Sequence, residues 1–337
     1  MKCMVTGGAG FVGRRFVRRL LNDGHEVTIV DDLSTGLPLN RWPAFLQPTA
    51  EQLERLNFPV ACDLRDYMRF DKHPGRFDLV IHLAAVVGGR VKIEGDPIAV
   101  ATDLAIDADF FQWIVRDPRK KVIYFSSSAV YPLSHQQQIS HEPLAESLID
   151  WRSLKLGQPD MTYGWSKLTG ELLARHAVET YGLDVSIYRP FSGYGADQSL
   201  DYPFPSIIKR VLEVAEGKSD TISVWGDGNQ VRDFIYIEDV VDIVMATYNQ
   251  LKPGEALNLG SGNGVSFRNL AAMAHTVLVD SVFSCDIVCD TSKPTGVFYR
   301  VADISKLRQF GWKPSVSLEE GIQRVANYLR TTDRRFE

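Results

Sequence analysis

Short apolar runs alternate with longer stretches of helical spacing over the first half of the chain, the pattern of parallel strand–helix–strand units. The pattern predicts strands at Lys2–Thr6, Glu26–Val30, Pro59–Cys62, Leu79–Leu83, Lys121–Phe125 and Asp184–Tyr188. Helices are expected at Phe11–Asn22, Pro97–Val115 and Tyr163–Tyr181, between strands. Together these make an α/β fold, a Rossmann-type doubly wound parallel sheet whose ligands sit beyond the carboxyl ends of the strands. After Pro190 the texture changes. Gly193, Gly195, Pro203 and Pro205 interrupt the chain, followed by an amphipathic helix at about Ser206–Glu216, a short strand and turn at Val224–Gly228 and a helix at Asp239–Gln250. The expected division is a dinucleotide-binding domain over 1–190, with about 231–260 packing back on it, and a smaller α/β substrate-binding region from 191–230 and 261–337. Leu133–Met161, rich in His, Gln, Pro and Ser, reads as a long surface loop.

Composition narrows the function classes. The 337 residues are 45% apolar and 23% charged with a formal charge of -5, which fits a folded globular protein and lacks the basic footprint of a nucleic-acid binder. No apolar stretch approaches the roughly 20 residues of a membrane span, and glycines follow the start too closely for a signal peptide. A cytoplasmic location without membrane or nucleic-acid partners is expected. The four cysteines, Cys3, Cys62, Cys285 and Cys289, form no metal-ligand pattern and read as buried thiols. No metal is expected.

Three constellations carry chemistry. The turn Thr6-Gly7-Gly8-Ala9-Gly10-Phe11-Val12-Gly13 joins a strand to a helix, so its N–H groups and the helix N-terminus can cradle a pyrophosphate. Asp31, at the end of the next strand, is placed to accept from ribose hydroxyls and to repel a 2′-phosphate, which prefers NAD over NADP; Arg14 and Arg15 weigh the other way. Asp63 is a partner for adenine or a plain surface carboxylate. Tyr163 and Lys167 stand at i and i+4 on one helical face, where the ammonium favours the phenolate and makes the tyrosine a general base. Tyr248 and Lys252 have the same spacing, but Pro253-Gly254 closes that helix at once. Ser126-Ser127-Ser128, at the carboxyl end of a strand, supplies a hydroxyl for the oxygen that Tyr163 deprotonates.

These segments, with His82-Leu83-Ala84-Ala85, the run to Tyr131, and Arg232-Asp233-Phe234-Ile235-Tyr236-Ile237-Glu238-Asp239, resemble the extended short-chain dehydrogenase/reductase family of nucleotide-sugar epimerases and dehydratases over nearly the whole chain. The resemblance implies tightly held NAD, Ser127 as the catalytic serine beside Tyr163 and Lys167, and a homodimer built on the Tyr163 helix and its neighbour. It implies a cofactor site of Gly7, Gly10, Phe11, Val12, Asp31, Asp32, Ser34, Asp63, Leu64, Leu83, Ala84, Ala85, Tyr163, Lys167 and Pro190. For the nucleotide sugar the candidates are Val87, Gly88, Ser127, Ser128, Ser192, Tyr202, Lys209, Arg210, Trp225, Arg232 and Arg300.

Departures from the family pattern select the chemistry. Ser128 and Ala129 stand where similar 4,6-dehydratases carry an Asp-Glu pair, and Ala129 also replaces the Glu of similar decarboxylases. Val86-Val87-Gly88-Gly89 and Ser292-Lys293-Pro294 are most similar to the GDP-fucose synthase and GDP-mannose 3,5-epimerase branch, whose Cys and His or Lys are here Ala129 and Tyr202. Ser192 replaces the usual Asn. What survives is hydride chemistry at one carbon: 4-epimerisation, with a GDP-linked hexose expected, or reduction of a 4-keto sugar. A non-catalytic NAD-binding regulator and an ordinary alcohol or hydroxysteroid dehydrogenase are the alternatives from other classes. The first would be expected to lose Tyr163, Lys167 or Ser127, and the second has no need of Trp225 and Arg232.

Overall fold

Alternate residues of the first strand face opposite cores: Cys3 and Val5 join one apolar cluster and Met4 the other. A strand buried on both faces requires helices on both sides of its sheet. In the computed structural model, which describes residues 1–58, 61–71, 73–138, 141–153, 155–279, 285–293 and 295–333, that is the arrangement. The sheet strands are β1 (Lys2–Thr6), β2 (Glu26–Val30), β3 (Leu56–Asn57), β4 (Leu79–His82), β5 (Lys121–Phe125) and β6 (Asp184–Pro190). After β7 (Ser192–Tyr194), β8 (Thr221–Trp225) and β9 (Val231–Tyr236), β10 (Ala256–Leu259) adds a seventh strand, in the order β10-β6-β5-β4-β1-β2-β3. Every pairing is parallel. The Gly13–Asn22 and Ile237–Thr247 helices cover one face; Thr102–Ile114 and Met161–Tyr181 cover the other. The fold is the expected Rossmann-type α/β sheet.

Beyond Pro190 the chain passes through Phe191 into β7, which pairs with β9. β9 also pairs with β11 (Gly264–Ser266) and β13 (Tyr299–Arg300), while β12 (Asp286–Asp290) pairs with β8. The Pro203–Ala215, Phe267–Leu278 and Leu318–Asp333 helices gather a separate core around Ile208, Leu270 and Val325.

Several local readings are corrected. The third strand is Leu56–Asn57, ahead of the expected Pro59–Cys62, of which 59–60 lie outside the described residues. The expected Pro97–Val115 helix is two, Pro97–Val100 and Thr102–Ile114. Leu133–Met161 is not a free surface loop. Leu144 is fully buried and bridges Ala302, Gln136 accepts the N–H groups of Phe298 and Tyr299, and Asn258 donates to the Leu144 carbonyl. Its polar composition conceals apolar anchors at Leu144, Leu148, Ile149 and Trp151, which pack on the main core. Of the cysteines only Cys3 is buried, its thiol pushed up to about 12 by burial; the other three are half-exposed. Among the described residues no helix is long and apolar enough to cross a membrane, and no cluster of side chains could hold a metal ion.

Candidate active site

The carboxyl ends of β1 and β4 meet at Thr6. Its hydroxyl accepts the N–H groups of Leu83 and Ala84 at 3.1 and 3.2 Å and touches His82 Nδ1 at 2.8 Å. That stitch brings Leu83 and Ala84 against the glycine turn. Gly7 has φ 67°, and a Cβ there would lie 2.9 Å from the Ala84 nitrogen; at Gly13 it would lie 2.1 Å from the Gly7 carbonyl oxygen. The turn therefore closes only with glycine at both places. Gly13→Ala is expected to lose about 1–3 kcal/mol of stability through overpacking, and to weaken NAD binding, measured by denaturant melts and calorimetric titration.

A cavity of about 960 Å³ opens from this turn. Gly7, Gly10, Phe11 and Val12 form one wall; Asp31, Asp32 and Ser34 follow at the end of β2, with Asp63 and Leu64 beside them. Leu83, Ala84 and Ala85 continue toward Tyr163, Lys167 and Pro190. Asp31 accepts the N–H groups of Ala9 and Leu33 at 2.9 and 2.8 Å, and burial raises its pKa against those bonds. Asp63 lines the cavity but is already engaged: it caps the Leu64–Phe70 helix through the Arg65 N–H and pairs with the Arg65 guanidinium.

Arg14 and Arg15, which the sequence left as possible partners of a 2′-phosphate, are both buried and committed elsewhere. Arg14 bonds Asp197 at 2.6 Å, and Arg15 bonds Asp197 and, at 2.9 Å, Glu238. Both guanidiniums are thereby neutralised by carboxylates, although Arg14 still lines the cavity with Asp31, and the cavity's residues fit NAD. Burial works against the Asp197 charge, but Arg15 and Arg14 outweigh it and hold the carboxyl below its ordinary value. A depressed carboxylate contributes stability above its unfolded pKa, near 4, which is lost as pH falls through the folded value. Asp197→Asn is therefore expected to lower stability at neutral pH and flatten the acid limb of a melting-temperature profile.

A second cavity, of about 410 Å³, adjoins the first, and Phe11, Val12, Gly88, Pro190, Tyr163, Tyr202 and Trp225 line both. Ser127, Ser128, Ala129 and Ser192 face it, with Arg210, Arg232 and Arg300 farther along; Val87 lines the first cavity. Lys209 lines neither. One residue before Arg210, it is turned about 100° around the helix. Arg210 itself donates to the Ser223 carbonyl and the Ser206 hydroxyl. Pro294 lies outside the described residues.

Tyr163 stands where the cavities join, with Ser127 facing its hydroxyl and Lys167 one turn along. The expected depression of the phenol is not what the protein alone produces. Burial raises the Tyr163 pKa above its ordinary value; Lys167 and Ser127 oppose the rise, while Asp103 and Asp107 add to it. Burial also opposes the Lys167 charge, but Asp107, Tyr163 and Asp103 outweigh it and raise its pKa. Asp107 in turn accepts from the Tyr124 hydroxyl at 2.5 Å and contacts His82 Nε2 at 3.0 Å. This buried cluster beneath the lysine escaped the sequence reading, since nothing in helical spacing marks an inward-facing Asp as a partner of a lysine on another helix.

Arg90 and Asp160 also escaped it. Asp160 pairs with Arg90 at 3.1 Å and Arg300 at 2.7 Å at the wall of the second cavity. Arg232 has Arg300 and Arg90 as neighbours; enclosure first, and then those two cations, pull its pKa down to about 9 against the opposing pull of Asp160. An arginine disfavoured in this way calls for an anion.

A profile described as the NAD dependent epimerase/dehydratase family matches residues 3–260. The UDP-N-acetyl-alpha-D-glucosaminuronate decarboxylase of Bacillus cytotoxicus is 28% identical, covering 98% of each chain. The UDP-glucuronate 4-epimerase of Thermodesulfobacterium geofontis is 30% identical over 97% of this chain and 95% of its own. The crystal structure of UDP-glucuronic acid 4-epimerase from Bacillus cereus, in complex with UDP-glucuronic acid and NAD, superposes with a TM-score of 0.76 at 27% identity, covering 98% of this chain and 100% of that one. With a seven-stranded parallel sheet, a glycine-lined cavity and a full-length likeness to these enzymes, the chain belongs to the NAD-dependent epimerase/dehydratase family.

Proposed function

We propose that the protein is a nucleotide-sugar 4-epimerase that works through a transient 4-keto sugar. The observation that carries this reading is the junction of the two cavities at Tyr163, with Ser127 opposite and Lys167 behind it. Ser127 donates to the C4 oxygen, Tyr163 removes its proton, and Lys167 stabilises the phenolate that precedes that step. NAD, which the glycine turn, Asp31 and Lys167 would hold, would supply the hydride acceptor for C4 and the hydride donor for the ketone. Tyr163 then gives its proton back to the alkoxide. For the C4 configuration to invert, the ketone must turn over between the two steps. The small Ala129 and Gly88 in the wall leave room for that, and an alanine can serve neither as the acid of a dehydratase nor as a second base.

Arg232 and Arg300 hold the diphosphate, and Trp225 and Arg210 face the base. The proposed division places the cofactor on 1–190, with most of 231–260 packing back on it, and the nucleotide sugar on 191–230 and 261–337, to whose small sheet β9 brings Arg232. GDP rests on the resemblance of two short segments; the relatives named above act on UDP-sugars, so both nucleotides belong in the test. A homodimer through the Thr102–Ile114 and Met161–Tyr181 helices is supported by Leu104, Trp165 and Leu172, which are exposed there. The experiment is to incubate the purified protein with UDP-, GDP-, CDP- and dTDP-hexoses and follow product configuration together with reduced-nicotinamide absorbance. A C4 epimer with no net absorbance change is expected. Stoichiometric oxidation of added NADH by a 4-keto sugar, without epimer, would show a reductase instead.

A further inference from the structure

An aspartate just before a helix ordinarily turns its carboxylate onto the free N–H groups of the first turn. Asp160 precedes the Met161–Tyr181 helix and makes no such bond. Its carboxylate points outward, onto Arg90 and Arg300. Its backbone is held at both ends: the N–H donates to the Ala129 carbonyl, and its own carbonyl accepts from Gly164, each at 2.9 Å. Met161, next in the chain, has φ 59°, a left-handed conformation rare for a residue with a side chain. The helix thus gives up its cap and strains its first residue, and the carboxylate reaches the arginines instead.

The arginines are a single group. A Cβ added to Gly296 would come within 2.9 Å of Arg90 Nη1 and 3.3 Å of Arg232 Nη2, so one turn touches both, while Asp160 joins Arg90 to Arg300. Arg300 is further aligned by Gln136, whose side-chain oxygen accepts from Nε at 2.6 Å. A carboxylate and a diphosphate cannot share these guanidiniums without like-charge repulsion.

We propose that Asp160 is a counter-ion that the substrate's diphosphate displaces from Arg300, so that filling of the nucleotide site is transmitted to the helix bearing Tyr163. The proposal rests on the nucleotide-sugar reading above. Once the diphosphate takes Arg300 and Arg232, Asp160 keeps Arg90. The entry to the helix then sits against one partner rather than two, three residues ahead of the catalytic phenol. Asp160 is in this sense a positioning residue, coupling the grip on the nucleotide to the placement of the base.

The test uses the full chain with NAD, titrated calorimetrically with UDP, GDP, CDP and dTDP, and steady-state kinetics on the sugar nucleotide that turns over. Asp160→Asn removes the competing charge, so nucleoside-diphosphate affinity is expected to rise about fivefold or more. KM falls with it, while kcat drops about tenfold as the helix entry loses its tether. A merely structural aspartate would not lower KM and kcat together. Arg90→Gln is expected to act in the opposite sense, weakening nucleotide binding because Asp160 then pairs undivided with Arg300. Circular dichroism and thermal melting confirm that each variant is folded; if Asp160→Asn is not, the direction of the Arg90→Gln change decides. Unchanged or weaker binding in Asp160→Asn, or unchanged or tighter binding in Arg90→Gln, overturns the proposal. If the unaltered protein binds none of UDP, GDP, CDP and dTDP, the functional reading falls and this one with it.

Discussion

Tyr163→Phe is expected to lower turnover by about 10²–10⁴-fold, the range of a lost general acid–base, while NAD affinity changes little. The phenylalanine keeps the ring that lines both cavities and removes only the group that exchanges the proton. In the unaltered protein the phenol is raised above its ordinary value by burial, which Lys167 and Ser127 resist. A base must be deprotonated to act, so the rate on NAD-loaded protein is expected to climb toward alkaline pH, and this limb should vanish in Tyr163→Phe. Lys167→Met removes the ammonium that favours the phenolate and should move the limb farther up the pH axis. Single-turnover kinetics across pH, with calorimetric NAD titration, checks both. Retained turnover in Tyr163→Phe would remove this residue from the chemistry.

Arg232→Met is expected to raise KM by about two orders of magnitude, the cost of truncating one partner of a buried charge pair, and to raise the melting temperature of the substrate-free protein. The two effects share a cause. Enclosure and the neighbouring Arg300 and Arg90 disfavour the Arg232 charge, and Asp160 offsets them only in part until substrate arrives. Methionine, of similar length, relieves that burden and keeps the packing against Phe267, over whose ring the guanidinium lies at 5.4 Å. Stability held back for binding is common at functional sites. Steady-state kinetics and calorimetry on the same preparation measure the pair of changes, and a lower melting temperature would show that Arg232 holds the fold together rather than waiting for substrate.

The parts of the site that follow the chain locally were legible. The strand periods of Lys2–Thr6, Lys121–Phe125 and Glu26–Val30, the glycine turn and the Tyr163–Lys167 spacing are all short-range signals, and the strands appear where the pattern puts them. The accidental Tyr248–Lys252 match is also resolved, since the Ile237–Thr247 helix stops before either residue. What was not legible depends on long-range pairing. Arg14 and Arg15 look free in the sequence, yet Asp197, far along the chain, occupies both. Nothing local marks Asp160 as the ion-pair partner of Arg90 and Arg300, which lie far from it along the chain. Leu133–Met161 looks like a solvated loop because its buried anchors are few. The i and i+4 rule rightly placed an ammonium near the phenol, but it says nothing of Asp103 and Asp107, whose carboxylates on another helix offset that ammonium.

In the proposed reaction the C4 hydrogen leaves the sugar as hydride and returns to the same carbon. The direct measurement is to supply the accepted nucleoside-diphosphate hexose with deuterium at C4 and follow both C4 epimers by NMR. The label is expected to stay at C4 in substrate and product, with no exchange into solvent. Loss of deuterium to water, or product lacking label at C4, would contradict it.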